Sequence, residues 1–318
     1  MRIKIPKWLK ALLQAAVSLG LIALVLRQID LTLAGALLLR VRQTGSAAPM
    51  LLTALLSFNL SKILGAFRLN DYQRHRAIHV GQAVNLRLYY AGMFLNLFLP
   101  GGIGGDGYKI LVLRRHTAAP FMALLQITLA DRLSGLIILL ILACWLWALP
   151  ATALPVWLIG MVSNKISPAL LLAGMAAFLL MVFVFGHRRL LRMQTHLIVR
   201  LFGYGLAVQL LQLACMTLLF LMLQVQLAQL GPYLAVFLLS SVVAVLPLSI
   251  GGLGVRELSF LYGMQLLTLD PVPGVLAASG FFMITVASSL IGVVFLRRFA
   301  APPGQNPFTE HASQTSLN

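Results

Sequence analysis

Charge is scarce in this 318-residue chain: only 10% of its residues are Asp, Glu, Lys or Arg, against roughly 25% in an ordinary soluble domain. Beside 60% hydrophobic residues, that scarcity excludes a water-soluble fold. Negative charge is scarcer still, with 7 acidic residues against 24 Lys and Arg. A formal charge of +17 would suggest nucleic acid in a soluble chain, but no soluble segment interleaves basic and aromatic residues, so no nucleic-acid partner is expected. Cysteine is limited to Cys144 and Cys215, both inside apolar runs, which removes a disulfide framework and a four-ligand metal site. Walker A, HExxH and GxSxG sequences are missing, leaving ATP-driven transport within this chain and familiar hydrolase chemistry without support. His75 and His79 have helical i, i+4 spacing in a basic loop, with no Cys, Asp or Glu arranged beside them as ligands. His187 and His196 also read as loop residues, and neither a metal nor another cofactor is expected.

What is abundant is apolar sequence. Runs long enough to cross a hydrocarbon core of about 30 Å fall at roughly 8–27, 47–67, 119–148, 168–186, 201–223 and 273–296. Arg2, Lys4, Lys7 and Lys10 precede the first run, which reads as an uncleaved signal anchor. Two further apolar segments, about 80–99 and 232–247, run directly into proline and glycine clusters. The first cluster is Leu99-Pro100-Gly101-Gly102-Ile103-Gly104-Gly105-Asp106-Gly107-Tyr108-Lys109; the second is Leu246-Pro247-Leu248-Ser249-Ile250-Gly251-Gly252-Leu253-Gly254-Val255-Arg256. Aligned without a gap, they share Leu, Pro, Ile and three Gly, and both end in a cation. That agreement points to an internal duplication.

Cation positions orient the chain, because cytoplasmic loops of membrane proteins carry excess Lys and Arg. With each glycine cluster taken as the tip of a hairpin that enters and leaves on one side, most cations fall on the side of the N-terminus. Only Arg27, Arg40, Arg42 and Lys165 fall opposite. Three full spans then separate the hairpins, so one opens to each side, as in an inverted repeat. The expected fold is an all-α polytopic membrane protein with about six full transmembrane helices plus two re-entrant helical hairpins. Its membrane domain covers 1–300, with repeat halves of about 8–150 and 168–298. The segment Leu31 to Thr44 reads as an amphipathic helix in the interface, and 301–318 as a disordered cytoplasmic tail. Trp145, Trp147 and Trp157 cluster where indole rings anchor at an interface.

A helix broken by Gly and Pro leaves backbone N–H and C=O groups that lipid cannot satisfy. Gly104 and Gly105, and Gly251, Gly252 and Gly254, therefore mark places that need a polar partner. A half-helix starting at Gly105 or Gly252 aims its N–H groups and positive dipole end at the break, which suits a phosphate or carboxylate. Lys109 and Arg256, about one turn further on, add full charges there. Charged residues within apolar spans need partners or a cavity; they are Lys62, Arg87, Asp106, Asp131, Arg132, Arg256 and Glu257. The pairing expected across the repeat is Asp131 or Asp106 with Arg256, and Glu257 with Arg132 or Arg87.

Three stretches carry a resemblance: Asn96 to Lys109 (NLFLPGGIGGDGYK), Asp131-Arg132, and Leu246 to Glu257 (LPLSIGGLGVRE). There the sequence resembles the lysylphosphatidylglycerol synthase transmembrane-region family, also called flippase-like membrane proteins. The resemblance implies a lipid-translocating module similar to the N-terminal half of the bacterial multiple peptide resistance factor. Relatives linked to hopanoid, cardiolipin or polyprenyl-linked glycan pathways leave the lipid open. The sequence ends about twenty residues after its last apolar run, without an aminoacyl-transferase domain, so lysyl-lipid synthesis is not expected of it.

The function read from these features is movement of an anionic or headgroup-modified lipid between leaflets of a bacterial inner membrane, both termini being cytoplasmic. Its partners would be a membrane phospholipid or polyprenyl-linked lipid and a lipid-modifying enzyme; no catalysis of its own is expected. Lys109, Arg256, Arg132 and Arg87 would attract phosphate, with Asp106, Asp131 and Glu257 balancing them or relaying protons. The alternatives are an intramembrane lipid-phosphate phosphatase, for which Ser249 is the one aliphatic hydroxyl within either cluster, and a scaffold that presents substrate to a separate enzyme.

Overall fold

The computed structural model describes residues 7–43, 45–98, 104–148, 167–245, 249 and 251–299, with side chains from residue 16 onward. The described residues form eleven α-helices and no strand. Several expectations fall outside them: the proline and first glycines of the first cluster (99–103), most of 246–250, Trp157, Lys165 and the tail 301–318.

Helix α1 (Lys7–Gln28) and helix α2 (Leu31–Gln43) meet at a bend of 94°. Asp30 makes the corner: its Oδ1 accepts the N–H groups of Thr32 at 2.9 Å and Leu33 at 3.1 Å, and the Thr32 hydroxyl at 2.5 Å. It thereby caps amides that the new helix leaves open. Nine helices follow: α3 (Ala47–His75), α4 (Gln82–Phe98), α5 (Gly104–Thr117), α6 (Phe121–Ala148), α7 (Pro168–Phe185), α8 (Thr195–Met222), α9 (Leu230–Ala244), α10 (Val255–Leu266) and α11 (Pro271–Phe299). A π-turn, Gly186–Leu190, ends α7, and a short 3-10 turn, Leu227–Gln229, leads into α9.

Six of these are long and apolar enough to cross a membrane: α3, α6, α7 with its π-turn, α8, α9 with its 3-10 turn, and α11. Five coincide with expected spans. The sixth, α9, is an arm of the second hairpin; the bent pair α1 and α2, taken as one span, makes a seventh. Helix α3 runs to His75 rather than stopping near 67. At 1.5 Å per residue its 29 residues reach about 43 Å, so helical continuity outlasts the apolar run.

Helix pairing follows a two-fold pattern. Helix α3 lies along α8, α4 along α11, α6 along α9, α4 against α5 and α9 against α10. Exchanging α3 with α8, α4 with α9, α5 with α10 and α6 with α11 turns each contact into another of the same set. Asp71, late in α3, bonds Arg200, early in α8, and Phe67 meets Tyr204 with ring centroids 6.3 Å apart. The central pair is therefore antiparallel, and the two four-helix sets run in opposite directions; α1, α2 and α7 lie outside them. Where small residues let backbones touch, membrane helices pack most closely. A Cβ on Gly292 of α11 would stand 2.2 Å from the Tyr90 carbonyl oxygen of α4, so glycine sets that crossing.

The C-terminal end of α3 joins the far end of α7 through His75 to the Leu191 carbonyl, 2.9 Å, and the start of α6 through Arg76 to Gln126, 3.2 Å. One end of the bundle thus gathers Arg74, Arg76, Arg188, Arg189 and Arg192. The arms of the α4–α5 hairpin diverge toward this basic end. Those of the α9–α10 hairpin diverge toward the opposite end, where Tyr233 donates to the Asp270 carbonyl at 2.6 Å.

Candidate functional site

At the first glycine break, α4 and α5 touch backbone to backbone. A Cβ on Gly105 would lie 1.8 Å from the carbonyl oxygen of Gly92, and the Gly105 N–H donates to Asn96 Oδ1 at 2.8 Å. This close approach starts α5 beside α4, and Asp106 in its first turn is buried. Asp106 accepts from Lys109 Nζ at 2.7 Å and from Arg132 of α6. Lys109 also sits over the Tyr89 ring, 5.1 Å from its centroid. Next to Arg132, Asp131 takes Arg68 Nε at 2.7 Å, and Arg68 Nη2 reaches the Asp131 carbonyl at 3.0 Å. Both side chains of that pair are nearly excluded from solvent, at 7% and 12% exposure, where an unmatched charge would be costly. Three cations and two carboxylates close this centre on itself.

The second break differs. Gly251, Gly252 and Gly254 have φ of +58°, +85° and +84°, a backbone region that favours glycine. Gly251 is so near the end of α4 that a Cβ there would stand 2.4 Å from Leu97 Cδ1, so the second break meets the end of α4. Gly254 caps α10, with Glu257 reaching back to accept its N–H at 2.7 Å. Arg256 donates to Ser241 Oγ at 2.7 Å and sits against the touching Phe237 and Phe281 rings, 5.0 and 4.9 Å from their centroids. Lys62 of α3 rests over Phe58 at 4.4 Å. Lys62, Arg256 and Glu257 border a cavity of about 190 Å³ lined also by Phe58, Met93, Gln212, Gly251, Gly252, Phe281, Phe282 and Thr285. Among the described residues, no carboxylate oxygen lies within 4 Å of either Lys62 or Arg256. Arg256 faces the cavity with a hydroxyl and aromatic faces as its partners and Lys62 with the Phe58 face, while the Glu257 carboxylate, which also lines the cavity, lies beyond ion-pair distance of both.

The ion pairing expected across the repeat is corrected by these contacts. Asp131 pairs with Arg68 rather than Arg256, Arg132 with Asp106 rather than Glu257, and Glu257 serves as a helix cap that also accepts from Ser279 at 3.4 Å. The ion pairs at the first break all stay within the set α3, α5 and α6, because α5 packs on its own hairpin arm and on α6. Arg68, assigned by sequence to a cytoplasmic loop, is buried within α3. Arg87 is half-buried on α4 and lies outside the cavity lining. Gly104, Gly105, Asp106, Lys109, Asp131 and Arg132 assemble at the first break; Gly251, Gly252, Gly254, Arg256 and Glu257 assemble at the second. Sequence reading missed Arg68, Ser241, Gln212 and Thr285, and noted Lys62 without placing it beside Arg256. The signal for Lys62 was a lone cation inside an apolar run.

His187 is also corrected. It is buried in the π-turn after α7, not exposed in a loop. Its Nε2 lies 2.5 Å from the Tyr72 hydroxyl and 3.2 Å from Ser134 Oγ, while Nδ1 lies 2.7 Å from the Phe183 carbonyl. This ties α7 to α3 and α6. Among the described residues, no group of three His, Cys, Asp or Glu could hold a metal ion.

No curated protein matches the chain. The family model described as lysylphosphatidylglycerol synthase TM region matches residues 11–292, which takes in both glycine breaks, the ion pairs between them and all but the last turns of α11. A multi-pass helical bundle with these breaks, matched over nearly all its length, makes the chain a member of the lysylphosphatidylglycerol synthase TM-region family.

Proposed function

We propose that the protein is a flippase-like transporter that moves an anionic or headgroup-modified lipid between membrane leaflets. One observation carries this reading: Lys62 and Arg256 border a cavity at a helix break and lack carboxylate partners there. Two cations held among apolar helices call for an anion, and a lipid phosphate supplies one from within the membrane. The hairpins act as re-entrant elements of an inverted repeat, and rocking of one four-helix set against the other alternates access to the cavity. The basic end of the bundle faces the cytoplasm, as the excess of cations there favours. The lipid is a phospholipid or polyprenyl-linked lipid supplied or consumed by a separate lipid-modifying enzyme. The cavity lining offers Thr285 and Glu257 but no histidine, which favours transport over phosphate hydrolysis.

The test is leaflet exchange of fluorescent phosphatidylglycerol in vesicles carrying the purified protein. Replacing Arg256 or Lys62 by Met removes a charge-assisted contact of about 1.5–3 kcal/mol, so exchange falls at least about tenfold while the melting temperature holds. Unchanged exchange in folded variants refutes the assignment. Phosphate released from polyprenyl diphosphate would support the phosphatase, and no exchange with a co-purifying enzyme would support the scaffold.

A further inference from the structure

The cation cavity holds more than two positive charges, and the rest of its lining narrows what it can take. Phe281 meets Phe58 edge to face, with ring centroids 5.4 Å apart. Lys62 stands over Phe58 at 4.4 Å and Arg256 over Phe281 at 4.9 Å, so both cations are gathered around one pair of touching rings. Neither is satisfied there. Arg256 spends Nη1 on Ser241 and, at 3.5 Å, on Ser240, while its Nε and Nη2 make no hydrogen bond among the described residues. Lys62 Nζ has no hydrogen-bond acceptor among them either.

Two neutral groups border the same space. From α8, Gln212 brings a side-chain amide that makes no hydrogen bond among the described residues. An amide both donates and accepts, so it can hold a hydroxyl in either sense. From α11, Thr285 gives its proton to the Phe281 carbonyl at 2.9 Å and keeps its lone pairs for another donor.

Glu257, the one carboxylate among the described lining residues, is withdrawn. It is 3% exposed, and its two oxygens accept from the Gly254 N–H and, at 3.4 Å, from Ser279. Two like charges around one small space repel each other; an anion between them relieves the repulsion, and a third cation adds to it. Size points the same way. A cavity of roughly 150 Å³ takes benzene, so one of about 190 Å³ takes a phosphate with a few further atoms.

We propose that the cavity selects lipids whose headgroup is a phosphate ester with a small, neutral, hydroxyl-bearing substituent, and rejects headgroups that carry an amine. Lys62 and Arg256 take the phosphate, and Gln212 with Thr285 takes the hydroxyl. This rests on the transport reading above and narrows its cargo: an ethanolamine or aminoacyl headgroup is turned away by charge, and a sugar by size.

Retention of three dioleoyl lipids by the full-length protein, measured by native mass spectrometry, tests this. Phosphatidylethanol and phosphatidylethanolamine differ by the amine alone, and phosphatidylglycerol adds hydroxyls. The amine is expected to lower retention at least about tenfold and the hydroxyls to raise it about fivefold, the scale of one charged and one neutral contact. Gln212→Leu removes the advantage of phosphatidylglycerol and leaves phosphatidylethanol unchanged. Lys62→Met lowers phosphatidylethanol and narrows its lead over phosphatidylethanolamine, which a purely structural role would not do. Glycerol 1-phosphate, the headgroup without chains, does not displace phosphatidylglycerol at equal concentration; displacement would overturn a lipid as the source of the phosphate. Equal retention of phosphatidylethanol and phosphatidylethanolamine, both lowered by Arg256→Met, overturns the selection alone. Retention of both anionic lipids unchanged in Arg256→Met overturns the transport reading beneath it.

Discussion

The contact between Gly92 and Gly105 makes the sharpest quantitative test of how the first break is built. An alanine at 105 would place Cβ 1.8 Å from the Gly92 carbonyl oxygen, 2.6 Å from its carbon and 2.8 Å from its Cα. Close carbon–oxygen contacts in proteins lie near 3.3 Å, so α4 and α5 must part by about 1.5 Å. All three obstructing atoms are backbone, so no side chain can rotate away. Overpacking of this kind costs about 1–3 kcal/mol, and parting the helices also stretches the Gly105 to Asn96 hydrogen bond, worth about 1 kcal/mol. Gly105→Ala is therefore expected to lose about 3 kcal/mol. Gly107, in the same helix, has nothing within 4 Å of its added Cβ, and alanine there should gain about 0.5–1 kcal/mol from its helix preference. Equilibrium unfolding in detergent compares the two single-methyl additions directly. If Gly105→Ala unfolds within about 0.5 kcal/mol of the parent, or Gly107→Ala is equally destabilising, the close-approach account is refuted.

Three further outcomes follow from the same contacts. Arg68→Met leaves Asp131 as an unmatched buried charge and should cost about 3–5 kcal/mol, while Arg68→Met with Asp131→Leu recovers most of it; equal losses in single and double variants would contradict the pairing. Gly254→Ala forces an L side chain to φ of +84° and sets Cβ 2.7 Å from Leu21 Cβ and 3.1 Å from the Ser18 carbonyl. Strain of about 1–3 kcal/mol should loosen α1 from α10, and unchanged amide hydrogen exchange along α1 would argue against that contact. Glu257→Ala removes the acceptor of the Gly254 N–H at a cost of about 1 kcal/mol, whereas Glu257→Gln keeps an acceptor oxygen and should unfold like the parent in the same denaturation series.

Much of this organisation is legible in the amino-acid order. Apolar runs show where spans lie because lipid tolerates only satisfied backbones, and the repeated proline–glycine pattern marks both breaks because glycine is needed where helices touch or φ turns positive. What stayed hidden was partner choice. Asp131 and Arg132 stand side by side, but their roughly 100° separation on a helix sends one toward Arg68 of α3 and the other toward Asp106 of α5, and sequence spacing holds no record of which helix lies on which face. Arg68 escaped for a related reason: the apolar run ends near 67, yet α3 continues because its polar continuation finds partners in Asp131 and in the Asp71–Arg200 pair. His187 looked like one of several loop cations, and only the π-turn carries it under Tyr72 and Ser134.

The two breaks occupy equivalent places in the two-fold pattern yet hold their charges in opposite ways. At the first, Lys109, Arg132 and Arg68 are each matched to a carboxylate, and Gly105 presses against Gly92. At the second, Glu257 spends both oxygens on its own helix start and Ser279, so Arg256 keeps only hydroxyl and ring contacts beside an open cavity. A charge matched by the protein has little to gain from a ligand, while a charge left with neutral partners in hydrocarbon has much. On the transport reading proposed above, the asymmetry favours the second break as the place for the anion and the first as structural closure. Lys62 and Arg68 sit about a turn and two-thirds apart on α3, one at each centre, so any shift of α3 along α8 is felt by both. On the same transport reading, that shared helix is the physical route by which opening one centre would accompany closing the other.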